Sequence, residues 1–299
     1  MRDGPDFLII GAAKSGTTSL FRYLGQHEDV MLPDMKEPEY FAYGTGQNPS
    51  PDFKDTVEDF GCYESLFEKT AEEAITGEAS PAYMYFPHVP KEIKSKFPKV
   101  KLIAILRDPV DRAHSHYHNA RRALVEPAET FREAVEAELR VLDEEWKVGK
   151  HPRPYLRFSL YGQQLQRYYN QFSPPQIKVI SFKRFVENTS QVLGEVTSFL
   201  GTRDFARKPT RKGRNPGFSF RSYEMYKLFQ PETAFSKAVR RCFGTSAYSI
   251  LRGVVAKLNR TDVPEVDSEL RNRLRRVFSE DVRRLQSLTG KGFDWWDLR

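Results

Sequence analysis

Short apolar runs alternate along the chain with longer segments in which apolar residues recur at helical spacing. The run at 100–106 is apolar almost throughout, as is typical of a strand that is buried on both faces. Five such runs predict β-strands: 7–10, 30–32, 74–78, 100–106 and 177–182. Helical spacing predicts α-helices at 19–25, 89–96, 110–123, 130–146, 159–169, 185–200 and 266–288.

The order of these elements indicates the fold class. Strands that alternate with helices predict a parallel sheet with helices on both faces. We therefore expect an α/β fold of three layers with a central parallel sheet. No internal repeat divides the sequence, so residues 1–299 are interpreted as a single domain. Residues 203–220, rich in basic residues, Gly and Pro, predict a long ordered loop, and the aromatic residues Phe293, Trp295 and Trp296 are expected to dock onto the core.

Composition narrows the classes of partner. The chain has 47 Lys and Arg against 40 Asp and Glu, which gives a net charge of +7 and favours an anionic ligand. Its 39% hydrophobic and 29% charged residues are ordinary for a globular protein. Two distant cysteines, Cys62 and Cys242, argue against a zinc site or a disulfide scaffold. The first apolar run is too short for a signal peptide or a membrane span, so we expect a cytoplasmic protein.

The first predicted strand leads into a segment that favours phosphate binding. Residues 11–19 join this strand to a helix, where backbone amides and the helix dipole attract an anion. Lys14 adds a positive charge, Ser15 and Gly16 let the backbone close around the ligand, and hydroxyl groups follow at Thr17 and Thr18. The sequence therefore predicts a P-loop-like phosphate-binding turn, with an ordinary strand–helix turn as the alternative.

A second cation follows the strand predicted at 100–106. Arg107 stands where a magnesium-dependent nucleotide kinase would place an acidic residue, and Lys14 precedes Gly16 instead of following the last glycine of a GxxxxGK[ST] loop. Both features favour a phosphate site without a metal. A nucleotide kinase and a non-catalytic polyanion-binding protein remain alternatives, as does a structural ion pair of Arg107 with Asp108 or Asp111.

These segments resemble a known family. The sequence from Lys14 to Thr18 is similar to the 5′-phosphosulfate loop of sulfotransferases that use 3′-phosphoadenosine 5′-phosphosulfate (PAPS). The residues from Ile105 to Tyr117 resemble the 3′-phosphate motif of the same enzymes. Further blocks resemble the heparan sulfate 3-O- and N-sulfotransferase-like branch: Glu37-Pro38-Glu39-Tyr40-Phe41, Ser80-Pro81-Ala82-Tyr83, Ser159-Leu160-Tyr161, Lys212-Gly213-Arg214-Asn215-Pro216 and Phe293-Asp294-Trp295.

The resemblance implies a role for each matching residue. Lys14 would stabilise the leaving phosphate while the loop from Ser15 to Thr18 binds it, and Arg107 with Ser115 would hold the 3′-phosphate. Glu37 would be the catalytic base, with Glu39 or a histidine as alternatives. The basic segment Lys212, Gly213 and Arg214 would cover the cofactor.

The implied enzyme is a PAPS-dependent sulfotransferase that releases adenosine 3′,5′-bisphosphate and needs no metal. His114, His116 and His118 alternate on one predicted helix and so cannot form a metal site together. The branch carries a lysine where this chain has Ala79, and residues 205–211 lack the cysteine of its bridged loop. We therefore expect a small-molecule or glycan acceptor: a hydroxyl, less favourably an amine, of a carbohydrate, lipid or polyketide. Nucleic acid is not expected as a partner, and the oligomeric state stays open.

Overall fold

A five-stranded parallel sheet forms the centre of the protein. The structure, a computed structural model, describes residues 4–46, 56–68, 74–144, 153–207, 209–210 and 217–293. The strands are β1 (Phe7–Gly11), β2 (Val30–Met31), β3 (Ile75–Ala79), β4 (Lys101–Leu106) and β5 (Ile177–Ser181). Their order in the sheet is β2-β3-β1-β4-β5, and every neighbouring pair is parallel. The predicted strands and the predicted three-layer α/β class are confirmed.

Helices cover both faces of this sheet. They are α1 (Thr17–Leu24), α2 (Phe60–Ser65), α3 (Val89–Lys96), α4 (Pro109–Arg122), α5 (Phe131–Leu139), α6 (Tyr161–Tyr169), α7 (Phe182–Glu187), α8 (Thr189–Leu200), α9 (Tyr223–Leu228), α10 (Ala234–Leu258) and α11 (Ser268–Thr289). A separate antiparallel pair joins β6 (Ser219–Phe220) to β7 (Arg260–Thr261).

Alternation along β1 produces the two cores. Leu8 and Ile10 face a core shared with α4, α6 and α11, whereas Phe7 and Ile9 face a core shared with α1 and α8. All four side chains are fully buried. Successive residues of a strand point to opposite faces, so a run without polar residues requires helices on both sides.

Two predicted helices have different limits in the structure. The segment predicted as one helix at 185–200 is two helices, because the backbone leaves helical geometry at Asn188. The first of them begins at Phe182, which was predicted to end a strand, since the Ser181 side chain caps it by accepting from the Arg184 amide. The helix predicted at 130–146 ends at Leu139, and residues 145–152 lie outside the described residues.

Helices α9 and α10 were missed by the sequence analysis. Periodicity is a signal of burial, and only Ser236 and Tyr248 are buried in α10. Residues 203–220 were predicted as a loop. Among the described residues of this segment, the last two form strand β6. Phe293 is buried as expected, whereas Trp295 and Trp296 lie outside the described residues. No helix in the described ranges is long and apolar enough to cross a bilayer.

Candidate active site

Three neighbouring strands deliver the predicted site residues to one edge of the sheet. Strand β1 lies between β3 and β4, and all three run in the same direction. Their carboxyl ends lead into the loop that contains Lys14, into Ser80 and into Arg107 respectively. In an open α/β sheet, ligands bind outside the carboxyl ends of the strands. The fold therefore places the predicted phosphate loop and the predicted second cation side by side.

The loop after β1 has the geometry of an anion site. Lys14 and Gly16 have left-handed φ angles of 70° and 94°. Gly16 precedes α1, and the amides of Gly16, Thr17 and Thr18 donate no hydrogen bond within the described chain. Successive free amides at a helix N-terminus attract phosphate. A Cβ atom on Gly16 would lie 3.0 Å from the Phe182 ring, so a side chain here would crowd that ring as well as strain the left-handed φ.

Two buried hydroxyl groups lie next to each other at this loop. Ser15 and Tyr161 are fully buried, and the Ser15 hydroxyl is near enough to lower the pKa of Tyr161, but neither oxygen forms a hydrogen bond of ordinary geometry with a described residue. Burial raises the pKa of Tyr161, so its hydroxyl keeps its proton. Buried polar atoms are normally hydrogen-bonded, and an orphan of this kind indicates a ligand or water.

Lys14 is surrounded by other cations. Its Nζ donates to Asn119 Oδ1 at 3.0 Å, and Arg122 Nη2 donates to the same oxygen at 3.2 Å. The pKa of Lys14 is lowered to about 8 by burial and then by the positive charges of Arg122, Arg112 and Arg107. This repulsion is relieved when an anion binds between the cations, so the arrangement favours a polyanionic ligand.

Asn119 and Arg122 were missed by the sequence analysis. Together with Ser115 they stand at spacings of four and three residues on α4, which places all three on one side of the helix. The predicted 3′-phosphate residue Ser115 is thus on the same side as the groups that contact Lys14. The spacing of four and three residues could have indicated Asn119 and Arg122 once the helix α4 was predicted.

Arg107 does not form the structural ion pair that was considered as an alternative. Asp111 accepts from Arg271 at 2.8 Å, and Asp108 lies 4.0 Å from the same guanidinium group. Asp108 also caps α4. The Arg107 guanidinium group instead lies 5.3 Å from the centre of the Phe182 ring, and it has no ion-pair partner in the described part of the chain.

A buried arginine explains why a serine begins the sequence block Ser159-Leu160-Tyr161. Arg112 is fully buried; its Nε donates to Ser159 Oγ at 2.6 Å and its Nη2 donates to the Tyr155 carbonyl. Ser159 Oγ donates in turn to the Pro109 carbonyl at 2.9 Å. Burial lowers the pKa of Arg112 to about 10, so it remains charged at neutral pH. This network fixes the start of α6 against the start of α4, below the Lys14 loop.

The three histidines of α4 do not all face the same way, as predicted. His114 and His118 contact each other with 3.0 Å between their Nε2 atoms, whereas His116 Nδ1 lies 3.3 Å from Arg112 Nη1. Burial lowers the pKa of each histidine, so all three are neutral at pH 7. Among the described residues, no group of three His, Cys, Asp or Glu side chains is placed to hold a metal ion.

The two glutamates after β2 have different environments. Glu37 has a left-handed φ of 62°, its side chain is 26% exposed, and it forms an ion pair with Lys36. Glu39 is 2% exposed, and its amide donates to Ser80 Oγ at 3.0 Å. Glu37 is therefore accessible to an acceptor, while Glu39 is enclosed and connects this loop to the end of β3.

A third glutamate lies below this connection. Glu78 is fully buried at the end of β3, where its Oε1 accepts from the Tyr63 hydroxyl at 3.3 Å, and the hydroxyl groups of Ser80 and Tyr83 lie nearby. Burial raises the pKa of Glu78 to about 7, although these three hydroxyl groups oppose the change. The sequence analysis missed Glu78. The sequence did offer a signal for this residue, because Glu78 is a carboxylate within an otherwise uncharged strand.

Aromatic packing holds the same loop. Phe41 is fully buried, with its ring centre 5.4 Å from that of Tyr63 and 5.5 Å from that of Tyr83. His88 Nε2 lies 2.9 Å from the Phe41 carbonyl. The aromatic pair that follows Glu39 therefore anchors the loop in the core beside β3.

The fold and the site define an α/β protein with a cluster of cations at the carboxyl edge of a parallel sheet, an arrangement that favours a polyanionic ligand. The sulfotransferase domain family matches residues 4–212, and the chain belongs to this family. The predicted enzyme class, a PAPS-dependent sulfotransferase, is thereby confirmed.

Known relatives agree with this assignment. Human heparan sulfate glucosamine 3-O-sulfotransferase 6 is 28% identical over 295 residues, which cover 97% of this chain and 73% of that protein. Human bifunctional heparan sulfate N-deacetylase/N-sulfotransferase 3 is 31% identical over 218 residues, which cover 66% of this chain but only 22% of the relative.

A solved structure is similar over nearly the whole length. The crystal structure of a sulfotransferase from Alicyclobacillus acidocaldarius superimposes with a TM-score of 0.71 at 28% identity. The match covers 97% of this chain and 98% of that chain. The similarity therefore extends beyond residue 212, where the family match ends.

Proposed function

We propose that the protein transfers the sulfuryl group of PAPS to a hydroxyl group of a carbohydrate, lipid or polyketide and releases adenosine 3′,5′-bisphosphate. An amine is the less favoured acceptor. The observation that carries the proposal is the pair of cationic positions at neighbouring strand ends, Lys14 after β1 and Arg107 after β4. A nucleotide that bears phosphates on both its 3′ and 5′ positions has two anionic groups for these two positions.

The residues around the loop fit such a cofactor. The free amides of Gly16, Thr17 and Thr18 and the buried hydroxyl of Ser15 supply donors for the 5′-phosphate. Arg107 supplies a planar donor pair for the 3′-phosphate, and we assign the hydroxyl of Ser115 to the same group.

The basic segment Lys212, Gly213 and Arg214 lies outside the described residues. Its proposed role as a cover for the cofactor rests on the family resemblance.

The bound cofactor supplies an activated sulfuryl group on a phosphate leaving group. In an in-line transfer, negative charge develops on the bridging oxygen, and Lys14 is assigned to stabilise it. Asn119 accepts from Lys14 and from Arg122, so it holds the ammonium group in place. Glu37 is assigned to take the proton from the acceptor hydroxyl as the new S–O bond forms.

The accessibility of the candidate bases favours Glu37. Glu39, the rival carboxylate, is buried and is tied through its amide to Ser80. His116 is neutral and lies near Lys14, but its ring is enclosed by Arg112 and aromatic side chains. An acceptor approaching from solvent would reach Glu37 first.

The first test measures nucleotide selectivity. We expect adenosine 3′,5′-bisphosphate to raise the melting temperature in the presence of EDTA, and 5′-AMP to protect much less. Arg107→Gln should remove most of this difference, whereas the control Arg132→Gln, on α5 and outside the site, should keep it. Equal protection by the two nucleotides would contradict the 3′-phosphate assignment. Magnesium-dependent protection by ATP would support the nucleotide kinase instead.

The second test addresses the base. Acceptor classes are screened with radiolabelled PAPS, beginning with sugars and hydroxylated lipids, and the variants are compared on the best acceptor. Glu37→Gln should keep nucleotide binding and reduce turnover by about 10²-fold or more. If Glu37→Gln turns over normally and Glu39→Gln does not, the base is Glu39. Normal turnover in both variants would assign the proton to a histidine.

Other expectations remain predictions. The interpretation of residues 1–299 as one domain, the cytoplasmic location, the absence of a metal requirement and the absence of a nucleic-acid partner rest on the sequence. Family membership favours a transferase over a non-catalytic polyanion-binding protein.

A further inference from the structure

Helix α10 presents large apolar side chains to solvent. Of its 25 residues only Ser236 and Tyr248 are buried, and a kink at Gly244, where φ is 82°, divides the helix into a first segment (234–243) and a second segment (245–258). Phe243, Ile250 and Leu258 are 73%, 70% and 70% exposed. Isolated exposed apolar residues are common on protein surfaces, but a group of them on one helix marks an interaction surface.

The exposed residues of the second half of α10 lie on one side. At 100° per residue, Ile250, Val254 and Leu258 fall within one arc, and Leu251 lies at its edge. The opposite side holds the buried Tyr248, whose hydroxyl donates to the Phe229 carbonyl at 2.8 Å. The helix is therefore attached to the protein by one side and offers an apolar stripe on the other. This stripe is called the outer face below.

The charges on this helix have a single sign. No Asp or Glu occurs between Glu232 and Asp262, while five basic residues lie on α10. Arg240 and Arg252 are turned toward the protein, where Arg240 donates to the Pro231 carbonyl and Arg252 lies 3.4 Å from Gln230 Oε1. The remaining three are exposed to solvent: Lys257 lies beside Ile250 on the second segment of the helix, whereas Lys237 and Arg241 lie on the first segment, before the kink at Gly244.

We propose that the outer face of α10 is a docking surface for an anionic lipid bilayer. A helix with an apolar stripe flanked by Lys and Arg lies in the membrane interface, with its apolar side chains inserted and its cations at the lipid phosphates. Charge complementarity selects this occupant over a second copy of the chain, because two α10 helices in contact would bring like charges together without acidic partners on either helix.

The docking surface is connected to the candidate active site. Arg122, which shares Asn119 with Lys14, donates to the Phe218 carbonyl at 2.6 Å. Phe218 leads into β6, and the amide of Arg221 after β6 donates to the Asn259 carbonyl at the end of α10 at 2.8 Å. Docking through α10 would therefore hold the site at a defined orientation to the bilayer. The proposal does not depend on the sulfuryl-transfer assignment.

The test is co-sedimentation of the full chain with vesicles. We expect binding to vesicles of phosphatidylcholine with 30% phosphatidylglycerol, at least about tenfold weaker binding to pure phosphatidylcholine, and weaker binding as salt rises. The double variant Ile250→Ser/Leu258→Ser should lose most binding, whereas the control Met31→Ser, also at an exposed apolar residue but on the edge strand β2, should not. All three positions are exposed, so the fold is expected to survive.

A second variant isolates the charge contribution. Lys237→Gln, Arg241→Gln and Lys257→Gln together should weaken vesicle binding by about fivefold for each cation removed. The control removes exposed lysines elsewhere, as Lys91→Gln and Lys99→Gln, and should leave binding nearly unchanged. A thermal shift with adenosine 3′,5′-bisphosphate confirms that each variant is folded, and it also separates failure of docking from failure of the active-site assignment.

Three results would overturn the proposal: no binding to anionic vesicles, equal binding to neutral ones, or a control variant that loses as much binding as the α10 variant. Sedimentation velocity can give a fourth result of this kind. If the protein is a dimer and the substitution Ile250→Ser makes it a monomer, the outer face is assigned to a second copy of the chain instead of to a lipid surface.

Discussion

Binding of adenosine 3′,5′-bisphosphate should weaken as the pH rises through 8. Lys14 in the ligand-free protein has a pKa of about 8, because burial and the charges of Arg122, Arg112 and Arg107 disfavour its protonated form. Bound phosphates supply negative charge and raise this pKa in the complex. Binding above pH 8 must therefore take up a proton, which costs affinity.

The magnitude follows from the fraction of protonated Lys14. With a pKa of about 8, roughly nine tenths of the ligand-free protein carries the proton at pH 7 and roughly one tenth at pH 9. If the complex keeps Lys14 protonated throughout, affinity falls by about tenfold between these two pH values. The phosphates contribute little to this change, because their second pKa is about 6.

Isothermal titration calorimetry at pH 7, 8 and 9, in buffers of different ionisation enthalpy, measures both the affinity and the proton uptake. The matched variant is Lys14→Arg, whose guanidinium group stays charged over the whole range and should flatten the profile. A flat profile in the original protein would refute the reasoning, as would an equal slope in Lys14→Arg.

Three further outcomes follow from buried contacts. Gly16→Ala should cost about 1–2 kcal/mol in urea unfolding and weaken nucleotide binding, because φ is 94° and the new Cβ would meet the Phe182 ring. Asp281→Ala should cost about 2 kcal/mol in the same assay, since its carboxylate accepts from two amides at the start of α6, at 2.7 and 2.8 Å. Ser80→Ala should reduce turnover more than nucleotide affinity, because it releases the Glu39 amide and with it the loop that carries Glu37; an equal effect on both constants would argue against this positioning role.

Much of the central fold was predictable because it depends on local pattern. The continuous apolar character of β1 and β4 required helices on both faces, and these strands were located within one residue of their observed limits. The boundary errors occurred where a side chain acts locally, as at Ser181, which caps a helix that begins three residues earlier than apolar periodicity indicates. Helix α10 escaped prediction because periodicity reports burial, and this helix is mostly exposed.

The residues of the candidate site were likewise predictable only where the local sequence decides their position. Lys14 and Arg107 were readable because each lies within three residues of the end of a strand, where backbone connectivity largely decides the position. Asn119 and Arg122 were not recognised, because their importance arises from a contact with Lys14 across 105 positions of sequence. Glu78 acquired its raised pKa only through enclosure by Tyr63, Tyr83 and the surrounding core.

The sequence by itself therefore determined the class of sheet, the predicted phosphate loop and the positions of the cations that follow two strands, since these features depend on residue types at short spacing. Only the tertiary structure decided which groups surround Lys14, which glutamate faces solvent and which helix is left with an uncovered apolar side. Burial and electrostatic environment depend on residues that are far apart in the chain, and their proximity exists only after folding.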